Sequence, residues 1–196
     1  MRLSVQREPL GKILRRSQYA LFVAATLALA YSGMALYTAW KFQANELAQF
    51  SRRLASTASP VAPPVIPGLV GRVEIERLGV SVIVMEGTGS STLRRAVGHI
   101  EGTALPGQPG NIGLAGHRDS FFRPLRNIQQ NDVITLTTLL GEYRYRVLSA
   151  KIVPPTDVSV LAPGEGQVLT LVTCYPFYFV GPAPDRFVVR AMRIRS

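Results

Sequence analysis

The stretch Thr170-Leu171-Val172-Thr173-Cys174-Tyr175-Pro176 decides how this chain folds. Val168 to Thr173 is rich in β-branched residues and reads as a strand, and the only cysteine of the chain closes it just before Tyr175-Pro176. Working outward, the same signal recurs. Arg72 to Arg77 and Val80 to Met85 alternate around a turn at Gly79, Asp132 to Thr138 and Tyr143 to Val153 flank the turn Leu140-Gly141-Glu142, and Arg186 to Ile194 follows the cysteine. Ser91 to Val97 is the one good helical candidate, with Ser90 or Ser91 as its cap. Short strands divided by Gly and Pro turns, with little helix, predict an all-β barrel or sandwich.

The N-terminal part has another character. Of 196 residues, 22 are Lys or Arg and 12 are Asp or Glu, a formal charge of +10 at a mean hydropathy of +0.17. Such a charge suggests nucleic acid only if it sits on the folded domain. Residues 1–16 hold five cations against one acid and residues 41–53 three against one, which leaves +4, dispersed, on residues 54–196. Nucleic acid thereby loses its support as a partner.

Between Arg16 and Lys41 runs an uncharged stretch, residues 17–40. At about 1.5 Å per residue it reaches roughly 36 Å as a helix, enough for a hydrocarbon core of about 30 Å with some tilt. Tyr19, Tyr37 and Trp40 stand where aromatic side chains prefer the headgroup level. The expectation is a single-pass anchor in the cell membrane, with the basic segment 1–16 cytoplasmic and everything beyond Lys41 extracytoplasmic. Ala28-Leu29-Ala30 has the form of a signal-peptide cleavage site, but the apolar run continues for about ten residues past it, more than cleavage requires.

Residues 42–54 continue as a short amphipathic helix in this reading, and Ala55 to Gly68, with Pro60, Pro63, Pro64 and Pro67, forms a spacer, so that 41–69 is juxtamembrane helix and Pro-rich linker. The folded domain is then residues 70–196.

A lone cysteine excludes an internal disulfide and a Cys-rich metal site. Cys174 is a buried small hydrophobe or a reactive thiol; a lone cysteine is more often the former, and its place at a strand end, in a compartment that usually pairs thiols, brings the two readings level. A thiol needs a base or cationic neighbour, for which His117, in Leu114-Ala115-Gly116-His117-Arg118-Asp119, and His99 are the two histidines present. Position alone leaves both open, although a loop histidine such as His99 is more often a solvated turn residue. Arginine is the usual clamp on a substrate carbonyl when no metal serves; Arg186 and Arg190 share one face of the last strand and Arg193 takes the other.

Thr170-Leu171-Val172-Thr173-Cys174, with Ala115-Gly116-His117 upstream and an arginine on the following strand, resembles the sortase family over Val70 to Arg195. The family signature TLxTC is matched at every fixed position. The resemblance implies an eight-stranded β-barrel with one or two short helices behind a membrane anchor, and a membrane-bound cysteine transpeptidase. It carries the histidine role to His117 rather than His99, and the arginine role to Arg186, twelve residues past Cys174, with Arg190 too far along. Gly116-His117-Arg118-Asp119-Ser120-Phe121-Phe122 and Cys174-Tyr175-Pro176-Phe177 look most like class D. No aromatic lid segment of the kind typical of pilus-building sortases precedes the domain.

The implied chemistry is attack by Cys174 on a threonine-like carbonyl of an LPxTG-like sorting signal in a secreted protein. A thioester forms and then passes to an amine of a peptidoglycan precursor or a protein lysine. Thr173, Tyr175 and, more weakly, Arg190 are the expected substrate contacts. No metal or other cofactor is required; Glu74, Glu76, Asp119 and Glu142 raise calcium, but their spacing forms no oxygen-ligand loop. An L,D-transpeptidase of peptidoglycan shares the residue kinds, yet no histidine lies close before Cys174 as its motif demands. A membrane-tethered β-barrel adaptor with a vestigial cysteine is the non-enzymatic alternative.

Overall fold

The computed structural model describes residues 8–56, 68–164 and 166–194 and divides into two compact units, Met1–Trp40 and Lys41–Ser196. The linker expected over Ala55 to Gly68 lies mostly outside the described residues. Helix α1 runs Glu8–Ser56. Its part in the first unit exposes its apolar side chains, and the helix holds a stretch long and apolar enough to cross a membrane.

The second unit is a closed barrel of eight strands: β1 (Leu69–Ile75), β2 (Val80–Glu86), β3 (Val97–His99), β4 (Gly110–Ala115), β5 (Val133–Thr138), β6 (Gly141–Val153), β7 (Gln167–Tyr175) and β8 (Asp185–Arg193). Around the barrel the order is β1-β2-β3-β4-β7-β8-β6-β5, with β5 closing on β1. Closure leaves no sheet edge for another chain to pair with. Two contacts are parallel, β2 with β3 and β4 with β7; the others are antiparallel.

Alternation along each strand sorts the side chains. Val73, Ile75, Val82 and Val84 from β1 and β2 meet Ile112, Leu114, Leu169, Leu171, Val189 and Ala191 in one core. Eight strands enclose a space that side chains fill, so the interior is packed and any site must lie outside it or at an end. On the outer face, Val160 of the 3-10 turn Val158–Leu161 joins Val153 and Val188, with Leu161 and Val172 against them. Asn111 fastens this cover: its Nδ2 donates to the oxygens of Val160 (3.0 Å) and Ala162 (3.3 Å), and its Oδ1 accepts from Thr170 Oγ1 (2.7 Å).

The helix expected over Ser91 to Val97 is shorter. Helix α2 covers Ser90–Leu93, and Val97 belongs to β3, where it pairs with Val84. Tertiary pairing overrides the local pattern here. Gly98 shows how closely the backbone passes here: a Cβ there would stand 2.4 Å from the backbone oxygen of Gly87, an approach only glycine allows.

Residues 41–56 of α1 lie on the barrel's outside. Phe50 is fully buried, with the Arg72 guanidinium 5.8 Å from its ring centroid, and Arg95 lies 4.8 Å from the centroid of Phe42. The Gln43 side-chain amide accepts from the Ile83 N–H (3.1 Å) and donates to the Arg95 oxygen. It bonds backbone groups of β2 and of the segment leading into β3, where these two strands do not yet pair with each other.

Candidate active site

The thiol, the histidine and the arginine singled out from the sequence come to one end of three adjoining strands. β7 ends in Cys174 and Tyr175, and its antiparallel register with β8 sets Cys174 opposite Arg186. Directly opposed side chains in such a ladder stand about 4.5–5.5 Å apart at Cβ. On the other side β7 runs parallel to β4, in step from Gly110 opposite Gln167 to Ala115 opposite Val172. The Gly116 N–H then donates to the Val172 oxygen (3.1 Å) and Thr173 Oγ1 to the Gly116 oxygen (2.7 Å), so the next position, His117, falls beside Cys174.

Cys174 is a half-buried free thiol and His117 is exposed, its ring without a hydrogen-bond partner among the described residues. Arg186 is half-buried, and its Nη1 donates to the oxygens of Asp185 (3.0 Å) and Ala183 (3.4 Å). That anchoring fixes the fork while leaving Nε and Nη2 without a partner among the described residues, available to an acceptor brought to the thiol. Cys174, Val172 and Thr170 alternate onto the outer face of β7. The 3-10 turn covers Val172, and the cover leaves the Cys174 end to solvent.

Gly116 seats the histidine. A Cβ on this residue would lie 2.7 Å from Cδ2 and 2.9 Å from Cγ of Phe122, a fully buried core residue whose N–H donates to the His117 oxygen (3.1 Å). The small residue before His117 is therefore a steric requirement of the core beneath it.

The other candidates are distributed differently. His99 is no solvated turn residue: it lies in β3 at 2% exposure, its Nδ1 2.9 Å from Glu86 Oε2, its Nε2 3.0 Å from the Ala104 oxygen and 3.0 Å from Thr103 Oγ1. Both ring nitrogens are engaged far from the thiol, so His99 is part of the scaffold. Arg190 faces the same way as Arg186 but pairs with Thr170, four residues or about 13 Å along the strand, beside Gly164. Arg193, at the far end of β8, lies 4.5 Å from the ring centroid of Tyr143. Thr173, expected to touch substrate, is 2% exposed and turned to the opposite face from Cys174, where its hydroxyl ties β7 to Gly116. Tyr175 stacks on Phe187 (centroids 6.4 Å apart, planes at 24°) and meets Phe177 edge-on (6.0 Å). Glu74 is paired with Arg72 at 2.9 Å, and no three of His, Cys, Asp and Glu converge as metal ligands among the described residues.

Sequence reasoning did not single out Arg118. Its Nη1 donates to the Pro176 oxygen (3.1 Å) and its Nη2 to those of Phe179 (2.9 Å) and Gly181 (3.1 Å), so the residue after His117 holds the loop after Cys174. Its position beside the histidine was the only signal available.

A closed mixed barrel with a free thiol on the outer end of one strand, an arginine across one ladder and a histidine at the end of the other defines a narrow structural class. The family described as Sortase domain matches residues 73–194, and the chain belongs to the sortase family. It is 35% identical over 125 residues to Sortase D of Bacillus subtilis (63% of each chain) and 32% identical over 110 residues to Sortase A of Listeria monocytogenes (54% of this chain, 49% of that one). The chain thus spans less than two thirds of the length of either relative. The structure is similar to that of a Clostridium perfringens Sortase D5 transpeptidase, with a TM-score of 0.62 and 27% identity over 79% of this chain and 97% of that one. The class D likeness read from the loops around His117 and Cys174 agrees with the Sortase D and Sortase D5 matches.

Proposed function

We propose that this sortase is a membrane-anchored cysteine transpeptidase that cleaves an LPxTG-like sorting signal. Cys174, as thiolate, attacks the carbonyl carbon of the threonine-like residue; the S–C bond forms and the following C–N bond breaks. His117, as imidazolium, gives its proton to the departing amine. It later takes one from the incoming amine, whose nitrogen displaces the thiolate and closes a new amide bond. Arg186, through Nε and Nη2, donates to the carbonyl oxygen as negative charge develops on it. The acceptor is an amine of a peptidoglycan precursor or a protein lysine. The apolar helix anchors the chain with residues 1–16 cytoplasmic and the barrel outside.

The observation that carries this reading is the register that sets Arg186 opposite Cys174 on one side while the step-by-step β4–β7 pairing brings His117 to the other. The test is to incubate the full chain in detergent with a library of LPxTG-like peptides and an amine nucleophile, and to identify acyl-enzyme and ligated products by mass spectrometry. A small alkylating agent should label Cys174, and a cleaved peptide should protect it. Peptide cleavage that survives Cys174→Ala refutes the assignment, and labelling that no peptide alters points to a non-catalytic barrel.

A further inference from the structure

We propose that Arg118 is a positioning residue for the reaction, pinning the loop that follows the nucleophile to the segment that carries the histidine. This rests on Cys174 and His117 being the reacting pair. The loop 176–184 leaves β7 two residues after Cys174 and returns to β8 two residues before Arg186. It is poorly held by its own backbone: among the described residues, no backbone hydrogen bond outside helices and strands involves residues 176–184. Phe177 packs its ring on the core, 5.3 Å from the Phe187 centroid, and guanidinium groups hold the rest.

Arg118 reaches three of its carbonyls, at Pro176, Phe179 and Gly181, and its charge also lies 5.7 Å from the centroid of the Phe179 ring. Two more arginines, in the 3-10 helix Arg123–Asn127 that follows Arg118, support the hold. Arg126 Nη1 donates to the Tyr178 hydroxyl, and Arg126 and Arg123 lie 5.4 and 5.9 Å from the Tyr178 ring centroid. The loop presents Tyr178, Phe179 and a 99% exposed Val180 to solvent, and the two aromatic rings are held from the side by these arginines.

Arg118 suits this work on chemical grounds. It is always charged and offers five donors in a planar fork, so it reaches the three carbonyls from two separate nitrogens, a span that lysine's single ammonium lacks. Because it is bonded to His117 through the chain and to the loop through its fork, it couples the two sides of the cleft in which a peptide must lie. Loss of the fork should let the loop wall move while leaving the thiol, fixed in the β7–β8 ladder, where it is.

The experiment measures kcat and KM for peptide cleavage by the full chain in detergent, for wild type, Arg118→Ala, Arg118→Lys, Arg118→Gln and Cys174→Ala, together with the rate of Cys174 alkylation by iodoacetamide. Arg118→Ala should lower kcat/KM by about 10- to 100-fold, the scale of a misplaced positioning group, mainly through KM. The alkylation rate should stay within about threefold of wild type, and lysine should restore little because charge alone cannot span the carbonyls. The proposal is overturned by kcat/KM of Arg118→Ala within about threefold of wild type, the size of an ordinary surface substitution. It is equally overturned by full rescue with lysine, by a jump in alkylation that marks general loosening, or by failure of all three Arg118 variants to fold. An active Cys174→Ala overturns the underlying reading as well, whereas an inactive Cys174→Ala beside a normal Arg118→Ala overturns only this one.

Discussion

Gly116→Ala puts a single methyl group between the core and the histidine, and its consequence can be worked out from the structure. The new Cβ would meet Phe122 at 2.7, 2.9 and 3.1 Å, whereas carbon atoms pack at about 3.5–4.0 Å. Either the ring retreats by about 1 Å within a core where it is fully buried, or the strand end carrying His117 rises by as much. Overpacking of this kind costs about 1–3 kcal/mol. For a domain of this size, at about 3–5 °C per kcal/mol, thermal unfolding of the full chain in detergent should fall by about 3–15 °C. If the ring is the obstacle, shortening it must relieve the strain: Gly116→Ala should cost less in a Phe122→Leu background than in wild type. The coupling should be about 0.5–3 kcal/mol, as for residues in direct contact. Peptide cleavage should fall in Gly116→Ala and recover in part in the double variant, since His117 follows Gly116 directly. Costs that simply add, within about 0.5 kcal/mol, would refute the steric account.

Further expectations concern charge and chemistry. His117→Ala should leave stability within about 0.5 kcal/mol, because the side chain is exposed, while cleavage drops by about 10²- to 10⁴-fold; a mild loss would contradict its role as acid and base. Arg186→Ala should impair cleavage far more than Arg190→Ala, and the reverse order would misplace the arginine. Asp132 accepts from Arg77 Nε (2.6 Å) and Nη2 (2.5 Å) and from the Gln129 N–H (2.8 Å). The Arg77 hydrogen bonds, the largest cause, hold the Asp132 carboxyl below its ordinary range. A depressed carboxyl stabilises the fold above about pH 4 and loses that contribution as pH falls through its folded value. Asp132→Asn should therefore unfold more readily than wild type near neutrality and approach it in acid; parallel curves from pH 7 to 2 would exclude the pair as a contributor.

Six of the eight strands follow from alternation, because each carries enough β-branched residues to bury one face. β3 does not: three residues form no period, and Val97 to His99 are extended only because β2 and β4 bracket them. The parallel β4–β7 contact joins residues nearly 60 apart, beyond any local signal, yet it is what brings His117 to Cys174. Family resemblance gave His117 and Cys174 roles in one reaction, but not the strand pairing that joins them. Thr173 shows a reading that the period of two already opposed, since the neighbour of a residue on the outer face points inward. His99 is buried through Glu86, Thr103 and Ala104, partners no spacing rule connects to it.

The Gln43 amide has a practical meaning for anyone who wants the barrel in water. It satisfies the Ile83 N–H, and Phe50 covers the barrel's outside close to Arg72. A soluble protein cut within the Pro-rich segment would strip both away, leaving Arg72 without the Phe50 ring and a backbone donor deprived of its acceptor, a defect of about 1–3 kcal/mol where water does not replace it. The natural border for crystallisation is therefore near Lys41, where the uncharged stretch ends and the barrel's own helical brace begins.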